Sequence, residues 1–363
     1  MNDGKKKYDV VFFPDALKRG GAERVTIHLT DYLRGQGLRV AVMTTFDLGK
    51  NEYSVPDGVD RIDVGIREKK LFELIKGYYR EIKKIDVGVA VLMGVPHGCY
   101  IIPACLMNRV KVVVSERNSP ANYNGKKLTQ KVMTFCMHYG CGYVFQTRDA
   151  MEYYKVGNKP KTVIANPLDA SDYPIKLINE SKKFENIISV GRLYTQKNQK
   201  LMIDAFSKVK QKYPNISLTI YGEGCLRSEL EQMIEEYKLQ NCVFLPGEVP
   251  DIKNKLENAD IFLFSSDFEG IPNALLEAMA VGLPCISTDC PCGGPASVIE
   301  NGINGLLVPV GDSSAMASAL ELLLTDGKLA KKIGKNAQQI RESLDIKIIG
   351  DKWVQFIKQF LND

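Results

Sequence analysis

Twelve short apolar runs, each followed by a stretch of helical spacing, constrain this chain more than any other feature. In the first half they are DVVFF (9–13), VAVMTT (40–45), VGVAVLM (87–93), VKVVVS (110–115), YVFQT (143–147) and TVIAN (162–166). In the second half they are NIISVG (186–191), SLTIYG (217–222), VFLPG (243–247), IFLFSS (261–266), PCIST (284–288) and GLLVP (305–309). Runs this short and this rich in Val and Ile read as parallel strands buried on both faces. Strands alternating with helices make βαβ units, and six followed by six makes two doubly wound α/β sheets. A chain of 363 residues suits two domains. The expected join is the polar stretch 167–185, which contains two prolines, so the expected domains are 1–170 and 171–346. In open α/β sheets ligands bind beyond the carboxyl ends of the strands. Two such sheets facing each other would enclose one deep cleft, and the chemistry is expected in the loops that follow the strands.

Charge separates the two halves. Residues 1–170 carry 27 Lys and Arg against 18 Asp and Glu, a net +9, whereas 171–363 carry 21 against 25, a net −4. A basic half joined to an acidic one points to an anionic partner for the first. No apolar run reaches the roughly 18 residues of a membrane span. The opening MNDGKKKYDVVFF reads as a first strand and not a signal peptide, because its apolar part stops at Pro14 and Asp15. The nine cysteines are an odd number without a CxxC pair, which reads as free thiols in a reducing cytoplasm.

The loops after the strands carry distinctive residues. After the first run, Gly20-Gly21 permits a tight turn into a helix whose free N–H groups would cradle an anion or a hydroxyl; a plain strand-to-helix turn is the other reading. After the seventh, Arg192 and Lys197 flank a loop leading to a helix near Asn198, an arrangement that suits a diphosphate or a pair of solvated cations. After the eighth, Gly222 and Gly224 allow close backbone approach, and Glu223 between them could meet a ligand hydroxyl. After the tenth comes FEGIPNALLEAMAVGLP (268–284). Asn273 is the expected N-cap, Pro272 suits the turn before it, and Gly282 ends the helix. Glu269 then lies in the loop and Glu277 about one turn inside, near the positive end of the helix dipole. Two carboxylates beside free backbone N–H groups suit a ligand with many hydroxyls, such as a sugar and a ribose.

These residues resemble those of glycosyltransferase family 4, the retaining nucleotide-sugar transferases of GT-B fold. The E-x7-E pair in 268–284, GGAERV (20–25), SVGRL…QKN (189–198), YGEG (221–224) and ENGINGLLVP (300–309) stand where that family has its motifs, so the likeness spans nearly the whole chain. SERNSP (115–120) with STDCPCGGPA (287–296) is similar to a bacterial surface-polysaccharide branch that extends lipid-diphosphate-linked glycans with hexoses or N-acetylhexosamines. The resemblance implies that Arg192 and Lys197 hold the donor diphosphate and stabilise its leaving charge. It implies that Glu277 binds the ribose, that Glu269 binds the donor sugar with backbone help from Gly270, Ile271, Pro272 and Asn273, and that Gly21 approaches the diphosphate. It implies too that the terminal amphipathic helix, about 347–363, crosses back onto the first domain. Ser297 stands where the family often has an acidic residue. The chain contains no Asp-x-Asp, so no metal or other cofactor is expected, and fixed cations and dipoles would stabilise the leaving group. A front-side displacement with retention is what the family implies.

The first half is expected to hold the acceptor, for which an undecaprenyl-diphosphate-linked glycan and a small soluble molecule both remain open. Segment 67–85 reads as a helix with a core stripe at Leu71, Ile75, Tyr78, Ile82 and Ile85. Its other side offers Lys69, Phe72, Lys76, Tyr79 and Lys83, which suits an anionic membrane surface and a peripheral place on the inner face of the cell membrane. Residues 117–148 contain no acidic residue. Arg117, Lys126 and Lys127 in that run, with Glu116 at a strand end and His97 in GVPHG, are the expected acceptor contacts. Rival readings are a nucleotide-sugar epimerase of the same fold, a catalytically silent nucleotide-sugar-binding module and a dehydrogenase. No G-x-G-x-x-G follows a strand, which disfavours the dehydrogenase. No base-reading motif supports nucleic-acid binding.

Overall fold

The structure is a computed structural model that describes residues 4–18, 20–47, 49, 52–67, 70–119, 127–176 and 183–361. The chain divides into two compact units, 1–167 with 344–363 and 168–343. The first unit contains strands β1 (Lys6–Phe13), β2 (Val40–Thr44), β3 (Asp60–Asp63), β4 (Ile85–Met93), β5 (Lys111–Ser115), β6 (Gly142–Phe145) and β7 (Lys161–Val163). Its helices are α1 (Gly21–Gly35), α2 (Leu71–Lys83), α3 (Gly98–Met107), α4 (Lys127–Met137) and α5 (Arg148–Tyr153). All the strand pairs are parallel, in the order β3-β2-β1-β4-β5-β6-β7. The order reverses between β1 and β4, and this is the switch point at which a doubly wound sheet opens a crevice.

The strands β1, β2, β4, β5 and β6 correspond to the apolar runs, because each is buried on both faces. The sheet has seven strands where six are expected. The extra one, β3, reads Asp-Arg-Ile-Asp and is a half-exposed edge. Its charges are taken up locally: Arg61 pairs with Glu52 at 2.6 Å and Asp63 at 3.2 Å. The helix expected over 67–85 is shorter, and its buried face is Leu74, Gly77, Tyr78 and Ile82. Leu71 is half exposed and Ile85 opens β4, so the expected stripe is corrected at both ends. Gly77 sets the rotation, since a Cβ there would sit 2.4 Å from Ile66 and 2.7 Å from Val64.

The second unit contains β8 (Asn186–Val190), β9 (Ser217–Tyr221), β10 (Val243–Gly247), β11 (Ile261–Phe264), β12 (Cys285–Thr288) and β13 (Leu306–Val308). These too are parallel, in the order β10-β9-β8-β11-β12-β13, with the switch point between β8 and β11. Its helices are α6 (Gln199–Lys210), α7 (Arg227–Glu236), α8 (Ile252–Asn258), α9 (Asn273–Val281), α10 (Ser313–Thr325), α11 (Gly327–Ala337) and α12 (Ile340–Ser343). Leu218, Ile220, Ile261, Leu263 and Ile286 join Phe206, Met316 and Ile333 in one fully buried core.

The chain then returns to the first unit as α13 (Ile346–Leu361). Trp353 is fully buried, with its ring 6.5 Å from that of Phe12. Phe360 lies over Gly142, where a Cβ would come within 2.4 Å of its ring, and Tyr32 donates to Asp351 at 2.8 Å. No described helix is long and apolar enough to cross a membrane.

Candidate active site

At the switch point of the second sheet, the loop after β8 and the loop after β11 are joined side by side. The Asp267 amide donates to the Gln196 carbonyl at 2.9 Å, and the Gln196 side chain returns a bond to the Phe268 carbonyl at 3.0 Å. Asn198 donates to Asp267 at 2.7 Å, and Ser265 donates to the Lys197 carbonyl at 2.8 Å. Asn198 adopts the left-handed conformation, φ 44°, which an Asn tolerates, and its side chain caps α6 by accepting from the Leu201 amide. This frame delivers Lys197 onto Glu269, and the two form an ion pair. The ammonium also lies 5.1 Å from the centre of the Phe264 ring. Ser266 donates to the same carboxylate oxygen, Oε1, at 3.0 Å. Both contacts fall on Oε1, so Oε2 and two of the three ammonium protons are uncommitted among the described residues. Arg192, on the same loop, is exposed, with its guanidinium 5.2 Å from the Tyr194 ring centre.

Glycines bring the neighbouring loops into direct backbone contact. A Cβ on Gly222 (φ 139°) would sit 2.1 Å from the Gly191 carbonyl oxygen, and one on Gly224 would sit 2.2 Å from that of Leu193. A Cβ on Gly294 would sit 1.7 Å from the Gly270 carbonyl oxygen, so the loop after β12 supports the loop that carries Glu269. Glu223, expected to meet a ligand hydroxyl, is exposed and pairs with Arg227 at 2.5 and 2.9 Å. That guanidinium holds its carboxyl below the usual range. Ser297 donates to the Gly294 carbonyl at 2.7 Å and so braces the turn it stands in.

Helix α9 begins at Asn273, and the cap is Pro272, not Asn273. The correction has a local cause. Pro272 is held extended (φ −81°, ψ 115°), and its carbonyl accepts the amides of Leu275 and Leu276. Glu277 lies one turn inside and is 4% exposed, and Glu269 in the preceding loop is 8% exposed. Gly270, Ile271 and Pro272 are buried between them. Buried carboxylates are costly unless paired or near positive dipole ends. Cys290, 1% exposed, is pushed up to about 12 by burial and then by Glu269, so it packs as a neutral thiol. Beside this group an open depression of about 680 Å³ is lined by Asp267, Asp289, Asn301, Leu307 and Pro309, among others. Asp289 and Asn301 lie within the quoted stretches 287–296 and 300–309 but are given no role there, although Asp289 directly follows a strand.

The first unit distributes its expected residues differently. Gly21 is the first residue of α1, with Gly20 extended before it. His97 ends a short 3-10 turn after β4, and its Nδ1 lies 2.8 Å from the Tyr100 hydroxyl. Glu116, expected to contact the acceptor, turns inward and is 1% exposed. It accepts from the amides of Arg117 and Asn118 at 2.8 and 2.9 Å and from the Tyr154 hydroxyl at 2.7 Å, so it anchors its own loop. Arg117 donates to Asn166 and, weakly, to Ser115 at 3.4 Å, while its buried Nε has no partner among the described residues. Desolvation pulls this guanidinium down to about 10. Lys126 lies outside the described residues, and Lys127 is the first residue of α4.

Residues 175–340 match the family model described as glycosyl transferases group 1. The chain is 32% identical over 248 residues to an uncharacterized glycosyltransferase of Methanocaldococcus jannaschii, covering 61% of this chain and 61% of that one. It is 27% identical over 369 residues to a Campylobacter jejuni GalNAc-alpha-(1->4)-GalNAc-alpha-(1->3)-diNAcBac-PP-undecaprenol alpha-1,4-N-acetyl-D-galactosaminyltransferase, covering 97% and 99%. The structure of Anabaena HepE in complex with UDP-glucose superposes with a TM-score of 0.81 at 18% identity, over 97% of this chain and 100% of that one. Each unit here is a Rossmann-like domain of the GT-B type, and the second is a glycosyltransferase domain.

Proposed function

We propose that the chain is a retaining glycosyltransferase that moves a hexose or N-acetylhexosamine from a nucleotide sugar, UDP-linked, to a lipid-diphosphate-linked glycan. The observation that carries this reading is the Lys197–Glu269 pair at the switch point, with Arg192 on the same loop and Glu277 buried one turn into α9. The uncommitted ammonium protons of Lys197 and the guanidinium of Arg192 would meet the donor diphosphate beside the N-terminus of α6. Oε2 of Glu269 would accept from a hydroxyl of the donor sugar, and Glu277 would accept from the ribose. As the bond from the anomeric carbon to the diphosphate oxygen breaks, the two cations stabilise the charge left on that oxygen. The acceptor oxygen bonds to the same face of the sugar and its proton passes to the departing diphosphate. No metal is needed for this balance, because the cations are supplied by the chain.

The acceptor falls to the first unit. Burial lowers the Arg117 guanidinium and the charge of Glu116 offsets this only in part, so an anionic group of the acceptor would stabilise it further. Phe72 is 73% exposed, Phe135 62% and Tyr139 49%, on the same unit as the exposed Lys76, Lys83 and Lys131. Apolar rings among lysines suit an anionic membrane surface, and with it a peripheral, cytoplasmic place. The undecaprenol diphosphate in the name of the Campylobacter relative supports an acceptor of that kind.

The test is release of nucleoside diphosphate by the purified protein in EDTA. A panel of UDP- and GDP-sugars is offered with and without an undecaprenyl-diphosphate-linked sugar. Release from one donor, dependent on the lipid, is the expected result. Lipid-independent release with a net change of sugar configuration favours an epimerase, and nucleotide binding without release favours a binding module.

A further inference from the structure

The end of α9 remote from the site is closed by groups that stand beside both passages of the chain between the units. The last four carbonyls of a helix have no partner inside it. Those of Ala278 and Met279 are satisfied by the turn that follows: the Gly282 amide donates to them at 3.2 and 3.0 Å, and the Leu283 amide donates to Ala278 at 3.0 Å. The other two take their donors from distant parts of the unit. The Ala280 carbonyl accepts from Arg341 at 3.0 Å. The Val281 carbonyl accepts from the Lys176 amide at 2.8 Å and from the Gln338 side chain at 3.2 Å. Arg341 donates as well to the carbonyls of Tyr173 at 2.9 Å and Ala170 at 2.6 Å, and Gln338 donates to that of Lys176 at 3.3 Å. Gly282 (φ 97°) makes room for this contact, since a Cβ there would sit 2.2 Å from Gln338 Nε2. The chain passes from unit to unit after 167 and after 343. Segment 170–176 thus follows the first passage, and Gln338 and Arg341 precede the second. Lys176 also pairs with Asp260 at 3.3 Å, and Asp260 accepts from the Glu185 and Asn186 amides at the start of β8.

Arg341 spends its charge on carbonyls: among the described residues it has no carboxylate partner. A cation there meets the negative end of the α9 dipole. The helix is nine residues long and buried from Leu275 to Val281, and Glu277 stands one turn in from its other end. A helix this short and this enclosed shifts as one piece, so whatever fixes its last carbonyls also fixes where Glu277 stands. We propose that Arg341 and Gln338 are positioning residues of the nucleotide site: by fastening the carbonyl end of α9 to segment 170–176 they set the place of Glu277 against the ribose. The coupling is reciprocal, so a nucleotide held at Glu277 steadies segment 170–176. That the ligand is a nucleotide rests on the transfer reaction proposed above, whereas the fastening does not.

The test uses the full chain and UDP as the probe. In titration calorimetry Arg341→Met should weaken UDP about tenfold, Gln338→Leu should weaken it less, and Arg341→Lys, which keeps a cation at the helix end, should recover part of the loss. Arg341→Met should cost no further affinity in a Glu277→Gln background, because the two changes act through one contact. Hydrogen exchange gives a readout that a purely structural role would not move. At saturating UDP the Lys176 amide should exchange about tenfold more slowly in the unsubstituted protein and show no such response in Arg341→Met. Folded Arg341→Met that binds UDP as tightly as the unsubstituted protein overturns the proposal, and so does full additivity with Glu277→Gln. Should Arg341→Met fail to fold, Lys176 in the unsubstituted protein decides, and exchange that UDP does not slow overturns the proposal. If UDP does not bind the unsubstituted protein at all, the nucleotide reading fails and takes the proposal with it, whereas binding that the variants leave unchanged sinks the proposal alone.

Discussion

The carboxylates of the two units are neutralised by different kinds of partner. In the second unit Glu269 faces a charged side chain, Lys197, on a neighbouring loop. In the first unit Glu116 faces two backbone amides of its own loop and the Tyr154 hydroxyl. A side-chain cation can exchange one anion for another when a diphosphate arrives. A backbone amide cannot leave without unfolding the turn. The contrast teaches that a buried carboxylate at the end of a strand is site or scaffold according to what neutralises it, not according to its burial.

That distinction can be broken experimentally. Lys197→Ala should lower kcat by a factor of 10² to 10³, the usual loss for one fixed donor to a developing negative charge. A steady-state assay that shows less than a tenfold loss would place the leaving group elsewhere. Glu116→Gln should leave nucleotide binding to the second unit intact while destabilising the first by about 1–3 kcal/mol, because one amide or hydroxyl loses its acceptor. Denaturant melts with a probe in each unit would separate the two effects, and a weaker nucleotide affinity would erase the contrast. Glu223→Gln gives the smallest effect. Its carboxylate is exposed and satisfied by Arg227, so donor KM should change less than about twofold, as for other surface pairs. A larger change would make Glu223 part of the site after all.

The strands were legible as short apolar runs, and β1, β2, β4, β5, β6, β11 and β12 carry the further signature of burial on both faces, whereas β7, β9 and β10 are partly exposed. β3 was not legible, because Arg61 at that edge takes its partners from Glu52 and Asp63 and the segment carries no apolar run. Lys197 and Glu269 were found 72 positions apart because each stands directly after a strand of the switch point. Spacing identifies the edge of the sheet but not which way a side chain turns once there. For that reason Glu116 and Glu223 read as ligand contacts, and the structure turns one onto its own backbone and the other onto Arg227.

The return of α13 to the first unit has a consequence for how the chain acquires its structure during synthesis. The second unit is one continuous segment, 168–343, and can close its core as soon as it clears the ribosome. The first unit, although made earlier, lacks Trp353, Phe356, Ile357 and Phe360 until residues 346–361 emerge. Until then the face of β1 and β4 that they cover stays open to water or to a chaperone. The first unit, although begun earlier, can thereby be completed only after the whole of the second has been made.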